Sequence, residues 1–166
     1  MKRTCLGGSN VSRYICTLYG YSALRIASYL PKDALFITVD SNQESAQIAS
    51  EIFKQAGISD RVHSVVGSSQ TVIPQIKDQH PISSFDFIFI DHSGENYLRD
   101  FKLLEYHNLI TSGTMIVADN ILYPGSPDYA DYIRNNPNYS SKMYEASVEW
   151  PVGVKIKDGV EVSVRN

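Results

Sequence analysis

Residues 35–57, LFITVDSNQESAQIASEIFKQAG, hold the reading that decides the fold. Leu35–Val39 is apolar nearly throughout, as in a parallel strand buried on both faces. It runs directly into Asp40. Across Asn42–Ala56 the apolar residues Ala46, Ala49, Ile52, Phe53 and Ala56 recur at three- and four-residue steps, and Gly57 follows as a C-terminal stop. A buried strand, an acid at its end and an amphipathic helix together make a β-α unit.

The same alternation extends in both directions. Further apolar runs lie at Tyr14–Leu18, Val62–Val66, Phe85–Ile90 and Thr114–Ala118. A helical stripe, Tyr97, Phe101 and Leu104, lies within Tyr97–His107. Ser126-Pro127-Asp128 reads as an N-cap, a proline in the first turn and an acid beside the helix dipole. The pattern predicts an α/β fold, a doubly wound, mostly parallel sheet with helices on both faces. Towards the end, Met143–Trp150 and Val154–Val164 carry no helix pattern, and Asp158-Gly159 is a hairpin-turn signal. Antiparallel strands are therefore expected to close the sheet. One domain is expected over 1–166, with 1–13 irregular.

Composition narrows the partners. The 166 residues carry a net charge of -3, and no run of like charges is present. Nucleic acid, whose phosphates call for a basic stripe, is a poor partner. No apolar stretch approaches the roughly 20 residues that span a bilayer, and the basic opening lacks the apolar run of a secretion signal. Cys5 and Cys16 are read as free thiols, and the expected location is cytoplasmic.

Each of three strands ends in an acid: Asp40, Asp91, and Asp119 with Asn120 beside it. In a parallel sheet these positions share the carboxyl edge, where open α/β folds bind ligands. Helix capping explains one such acid; three with an adjacent Asn favour a functional edge. Asp40 lies twenty residues after Gly20, a spacing that suits an acid accepting from ribose hydroxyls in either a nicotinamide cofactor or S-adenosylmethionine. Asp91, Asp119 and Asn120 are hard oxygen donors that suit Mg²⁺ better than zinc. His92 is a ligand candidate, though such a histidine more often packs locally. His63, His80 and His107 are read as incidental.

Six strings carry a resemblance: GYSALRIASYLP, ITVDSNQESAQIA, GSSQTVIPQI, DFIFIDH, LLEYHNLITSGTMIVADN and YPGSPDY. In this order and spacing the chain resembles the catechol O-methyltransferase family from about Tyr14 to its end. The resemblance implies transfer of a methyl group from S-adenosylmethionine to a catechol hydroxyl, with Mg²⁺ as cofactor. Tyr21 and Ser22 would contact the methionine part, and Asp40 the ribose. Ser69, Gln70 and His92 would surround the adenine. Asp91, Asp119 and Asn120 would ligate Mg²⁺, with Asp91 also beside the cofactor. Glu149 would hold a catechol hydroxyl, and Pro124 would wall the slot. The catalytic set is thus Asp91, Asn120 and Glu149.

The chain departs from the family at three places. The first-strand motif, an acid followed by Gly-x-x-x-Gly, has Tyr14 and Cys16 in place of the acid and first Gly, and keeps only Gly20. Gly94 stands where the family carries its general-base lysine, and Ser93 where it carries tryptophan. A lysine restored at Gly94 is expected to raise turnover. The family's helices before the first strand have no counterpart in residues 1–13, and an apolar face left bare would favour self-association. The alternative reading is a catalytically impaired remnant that binds a ligand or a protein.

Overall fold

A computed structural model describes residues 12–16, 20–150 and 153–166, with the side chains of 12–16, 148–150 and 154 outside the description. Seven strands form one sheet: β1 (Ser12–Cys16), β2 (Leu35–Asp40), β3 (Val62–Val66), β4 (Phe85–Ile90), β5 (Ile110–Ala118), β6 (Tyr139–Trp150) and β7 (Val154–Arg165). Their order is β3-β2-β1-β4-β5-β7-β6. The first five strands pair in parallel, and β7 pairs antiparallel with both β5 and β6. The order reverses between β1 and β4, which creates the crevice at the carboxyl edge where such sheets bind ligands.

Helices cover both faces: α1 (Tyr21–Tyr29), α2 (Gln43–Gln55), α3 (Ser69–Val72), α4 (Ile76–Gln79), α5 (Tyr97–Tyr106) and α6 (Pro127–Asn135). Successive residues of β2 point to opposite faces, which is why that strand is apolar nearly throughout. Phe36 packs with Ala23, Ala27, Ala49 and Phe53 from α1 and α2. Ile37 packs on the other side with Ile73, Ile88, Phe101 and Ile116. Helix α2 begins as its sequence requires, with the Asn42 side chain accepting from Ser45 N at 3.0 Å.

Three expectations need correction. Strand β1 starts at Ser12, inside the stretch read as irregular, because backbone pairing of Ser12 with Leu35 and Arg13 with Phe36 needs no apolar side chain. The last two residues of the run expected at Tyr14–Leu18 lie outside the described residues. Strand β5 begins at Ile110, four residues early. Ile110 pairs with Phe85 and Met115 with Phe87, so the exposed residues 111–113 bulge out and hide the strand's start from a periodicity argument. Asp158-Gly159 is no turn. It lies inside β7, paired with Ala146 and Glu145, and the β6–β7 connection falls between Trp150 and Val154.

Among the described residues, no helix is long and apolar enough to cross a membrane. The large exposed apolar side chains include Tyr29 on α1, Tyr106 on α5 and Tyr144 on β6. This scatter over separate elements gives the expected self-association no support.

Candidate active site

A cleft of about 490 Å³ opens at the carboxyl edge, its wall including Asp40, Ser68, Ser69, Asp91, His92 and Arg99. Asp40 ends β2, and Asp91 and His92 follow β4. Ser69 opens α3 immediately after the β3 turn. Four residues expected around the cofactor therefore converge although they come from three separate β-α units.

Asp40 is half committed. Its Oδ1 accepts from Asn42 N at 2.8 Å, while Oδ2 is buried with no hydrogen-bond partner among the described residues. An orphaned buried carboxylate oxygen costs about 1–3 kcal/mol unless a ligand supplies the donor. Tyr21 and Ser22 are not part of this wall, and Tyr21 is 70% exposed at the start of α1. Gln70 faces a neighbouring groove formed with Arg99, Lys102, Leu103 and Tyr106. With its amide turned to satisfy both groups, its oxygen accepts two Arg99 N–H bonds at 2.8 and 2.9 Å. Gly20 is left-handed at φ 79, and a Cβ there would lie 2.9 Å from Ala49 Cβ, so this turn needs its glycine.

Asp91 links the cleft to a second group of acids. Burial and then the charge of Asp119 push its pKa from 3.8 to about 6, with a smaller push from Asp158 and a counteracting pull from His92. Asp119 and Asn120 follow β5. Asp119 Oδ1 accepts from Asn120 N at 2.8 Å, and Tyr97 Oη donates to the Asp119 carbonyl at 3.1 Å. Asn120 is left-handed, φ 54, a conformation asparagine tolerates. Its Nδ2 donates to Asp158 Oδ2 at 2.8 Å, which turns its Oδ1 away from Asp158. Asp158 also accepts on Oδ1 from Leu122 N, Tyr123 N and Gly159 N at 3.1, 3.1 and 2.7 Å. The carboxylate that looked like a turn residue is thus the clamp of the 121–125 segment.

No group of three His, Cys, Asp or Glu among the described residues is arranged to hold a metal. The expected set differs in kind, having two carboxylates and one amide oxygen. Its chemistry fits a hard divalent cation, since Asp91 sits among like charges that a cation would relieve. Glu149 belongs to β6 opposite Lys155, and its side chain lies outside the described residues. At Gly94 an added Cβ would come within 2.4 Å of the Gly125 carbonyl oxygen. There is no room for a lysine there without moving the backbone.

The raised Asp91 value has a consequence for the cation-free protein. The folded pKa lies above the unfolded one, so Asp91 favours the fold most at low pH. That contribution is lost as pH rises from 3.8 to about 6. Asp91→Asn should flatten this part of the stability–pH curve, measured by chemical denaturation in chelator. Parallel curves for the two proteins would remove the assignment.

Several site residues were missed in the sequence. Asp100 had a readable signal, an acid inside the apolar stripe of Tyr97, Phe101 and Leu104. Ser68 had none beyond adjacency to Ser69, and Arg99 had none. Asp158 carried a misleading one.

The profile of the family described as O-methyltransferase matches residues 6–151. The chain is 41% identical to catechol O-methyltransferase B of Danio rerio over 148 residues, 89% of this chain and 55% of that one. It is 37% identical to catechol O-methyltransferase of Bos taurus over 142 residues, 86% of this chain and 51% of that one. The chain therefore spans about half the length of these relatives. Among solved structures, the O-methyltransferase from Bacillus cereus in complex with SAH superposes with a TM-score of 0.81 at 26% identity, covering 95% of this chain and 74% of that one.

Proposed function

This chain belongs to the O-methyltransferase family, and from that premise we infer that it binds S-adenosylmethionine and methylates a hydroxyl of a catechol-class small molecule with Mg²⁺ at Asp91, Asp119 and Asn120. The observation that carries the reading is Asp40 Oδ2, buried without a partner on the cleft wall. The vicinal hydroxyls of a ribose are the donors it lacks.

The chain's own share of the chemistry is binding and orientation. Asp40 holds the ribose, and Ser69 and His92 wall the purine end. Asp91 lies where the cleft meets the acidic group, so a methyl donor in the cleft and an acceptor oxygen beside Asp119 and Asn120 meet there. Holding two reactants at attack distance is the largest contribution such a site makes. A bound divalent cation would lower the pKa of an acceptor hydroxyl. Tyr21, Ser22 and Gln70 stay in the proposal as cofactor contacts on family resemblance alone, and Glu149 as the acceptor's hydrogen-bond partner on the same ground.

The second reading, a binding module without turnover, is favoured by one observation: the position of the family's general base is a glycine packed against backbone. Two measurements separate the readings. Calorimetry follows S-adenosylhomocysteine binding, and an assay follows methyl transfer to a simple catechol with S-adenosylmethionine and Mg²⁺. Binding with transfer supports the enzyme, binding without transfer selects a ligand-binding module, and absence of binding removes both of these and leaves a protein-binding module.

The cation assignment has its own test. Mg²⁺ with a catechol should raise the melting temperature, with stabilisation reaching about 2.7 kcal/mol at a hundredfold excess over the dissociation constant. Asp119→Ala should abolish the effect. Equal shifts in the two proteins would sink the site.

A further inference from the structure

We propose that Asp100 is a positioning residue that makes Ser69 a hydrogen-bond acceptor in the cleft and thereby selects a purine bearing an exocyclic amino group; this rests on the cofactor reading above. Asp100 lies on α5, outside the cleft wall, and is 3% exposed. Its Oδ2 takes two donors, Ser69 Oγ at 2.6 Å and His92 Nε2 at 2.8 Å. Its Oδ1 takes Arg99 Nε at 2.8 Å. One carboxylate thus gathers side chains from the start of α3, from the end of β4 and from its own helix.

The direction of these bonds decides what the cleft presents. Burial would raise the Asp100 pKa, but hydrogen bonds from His92, Arg99 and Ser69 hold it below the usual carboxylate range. An ionised carboxylate only accepts. The Ser69 proton therefore points at Asp100, and the lone pairs of Oγ remain for the cleft. His92 carries a proton on Nε2 for the same reason. A hydroxyl without this anchor rotates and serves either role. Anchored, it favours a donor such as the amino group of adenine over the carbonyl oxygen at the same place in hypoxanthine. Bonds to a charged acceptor are the strong class, and here they are short and end on a buried carboxylate. A purely structural ion pair would not require all three of its donors, Ser69, His92 and Arg99, to line the cleft.

The test compares S-adenosylhomocysteine with S-inosylhomocysteine by calorimetry, in wild type, Asp100→Asn, Ser69→Ala and the double variant. Wild type should bind the amino form about tenfold or more tightly. Asp100→Asn should cut that preference below about threefold, because its amide can donate to Ser69 and free the hydroxyl to turn. Ser69→Ala should cut it equally, and the double variant no further. A preference unchanged in Asp100→Asn, or equal binding of both nucleosides by wild type, overturns the proposal. If Asp100→Asn does not fold, Ser69→Ala decides, and a full preference retained there overturns it. Wild type that binds neither nucleoside overturns the cofactor reading itself, and this proposal with it.

Discussion

Asp158→Ala is expected to lower the melting temperature by about 10 °C and to abolish the stabilising response to Mg²⁺. Asp158 is 2% exposed and accepts from three backbone N–H groups and the Asn120 amide. Removing a shared acceptor leaves each donor with a desolvation cost of about 1–3 kcal/mol. Leu122 and Tyr123 are partly exposed, so water replaces some of what is lost. A net cost of about 3 kcal/mol is reasonable, and a domain of this size shifts by about 2–4 °C per kcal/mol. The second effect follows from orientation: Asp158 holds Asn120 Nδ2, and without that bond the amide can rotate and lose the orientation proposed for the cation site. Asp158→Asn separates the two effects. It keeps the volume and one acceptor for the backbone amides, yet sets an amino group against Asn120 Nδ2. It should therefore cost less stability than alanine while losing the Mg²⁺ response as fully. Retention of that response in Asp158→Asn would show that Asn120 is oriented by something else.

Asp158 also marks the limit of what the sequence disclosed. Strands buried on both faces were legible, because β2, inside the sheet, is buried at all four of its central residues and takes an apolar side chain at nearly every step. Helix α2 was legible from its cap and stripe. The acids at the strand ends were legible as well, since a parallel sheet brings the positions after β2, β4 and β5 to one edge. Long-range polar contacts were hidden. Asn120 and Asp158 are 38 residues apart and meet only because β7 returns antiparallel beside β5. Asp-Gly has the chemistry of a tight turn, and only strand pairing overrides it. Asp100 was partly legible: an acid in an apolar helical stripe needs a buried partner, though the stripe does not say that Ser69 and His92 supply it.

Gly94→Lys is expected to destabilise the protein by about 2–3 kcal/mol, a fall of about 5–10 °C, and to leave methyl transfer no faster. This reverses the expectation drawn from the family's lysine. The obstacle is space, since Gly94 does not adopt a positive φ. The Cβ of any side chain would sit 2.4 Å from the Gly125 carbonyl oxygen, a backbone atom that no rotamer change can move. The same approach is fixed by Ser126 Oγ, which donates to the Gly94 carbonyl at 2.8 Å and is itself buried. Relief therefore requires the 121–125 segment to shift. That segment is held by Asp158 and starts beside Asn120, so the strain passes into the proposed cation site instead of staying in the loop. Gly94→Ala is the control. It brings the same clash without the amine and should melt within about 2 °C of the lysine variant. If lysine instead raised turnover tenfold at an unchanged melting temperature, the loop would be yielding, and the glycine would mark a lost base in an otherwise intact site. If both variants melt early and neither gains activity, Gly94 is a packing residue. The close approach of the two loops then belongs to the architecture of this site.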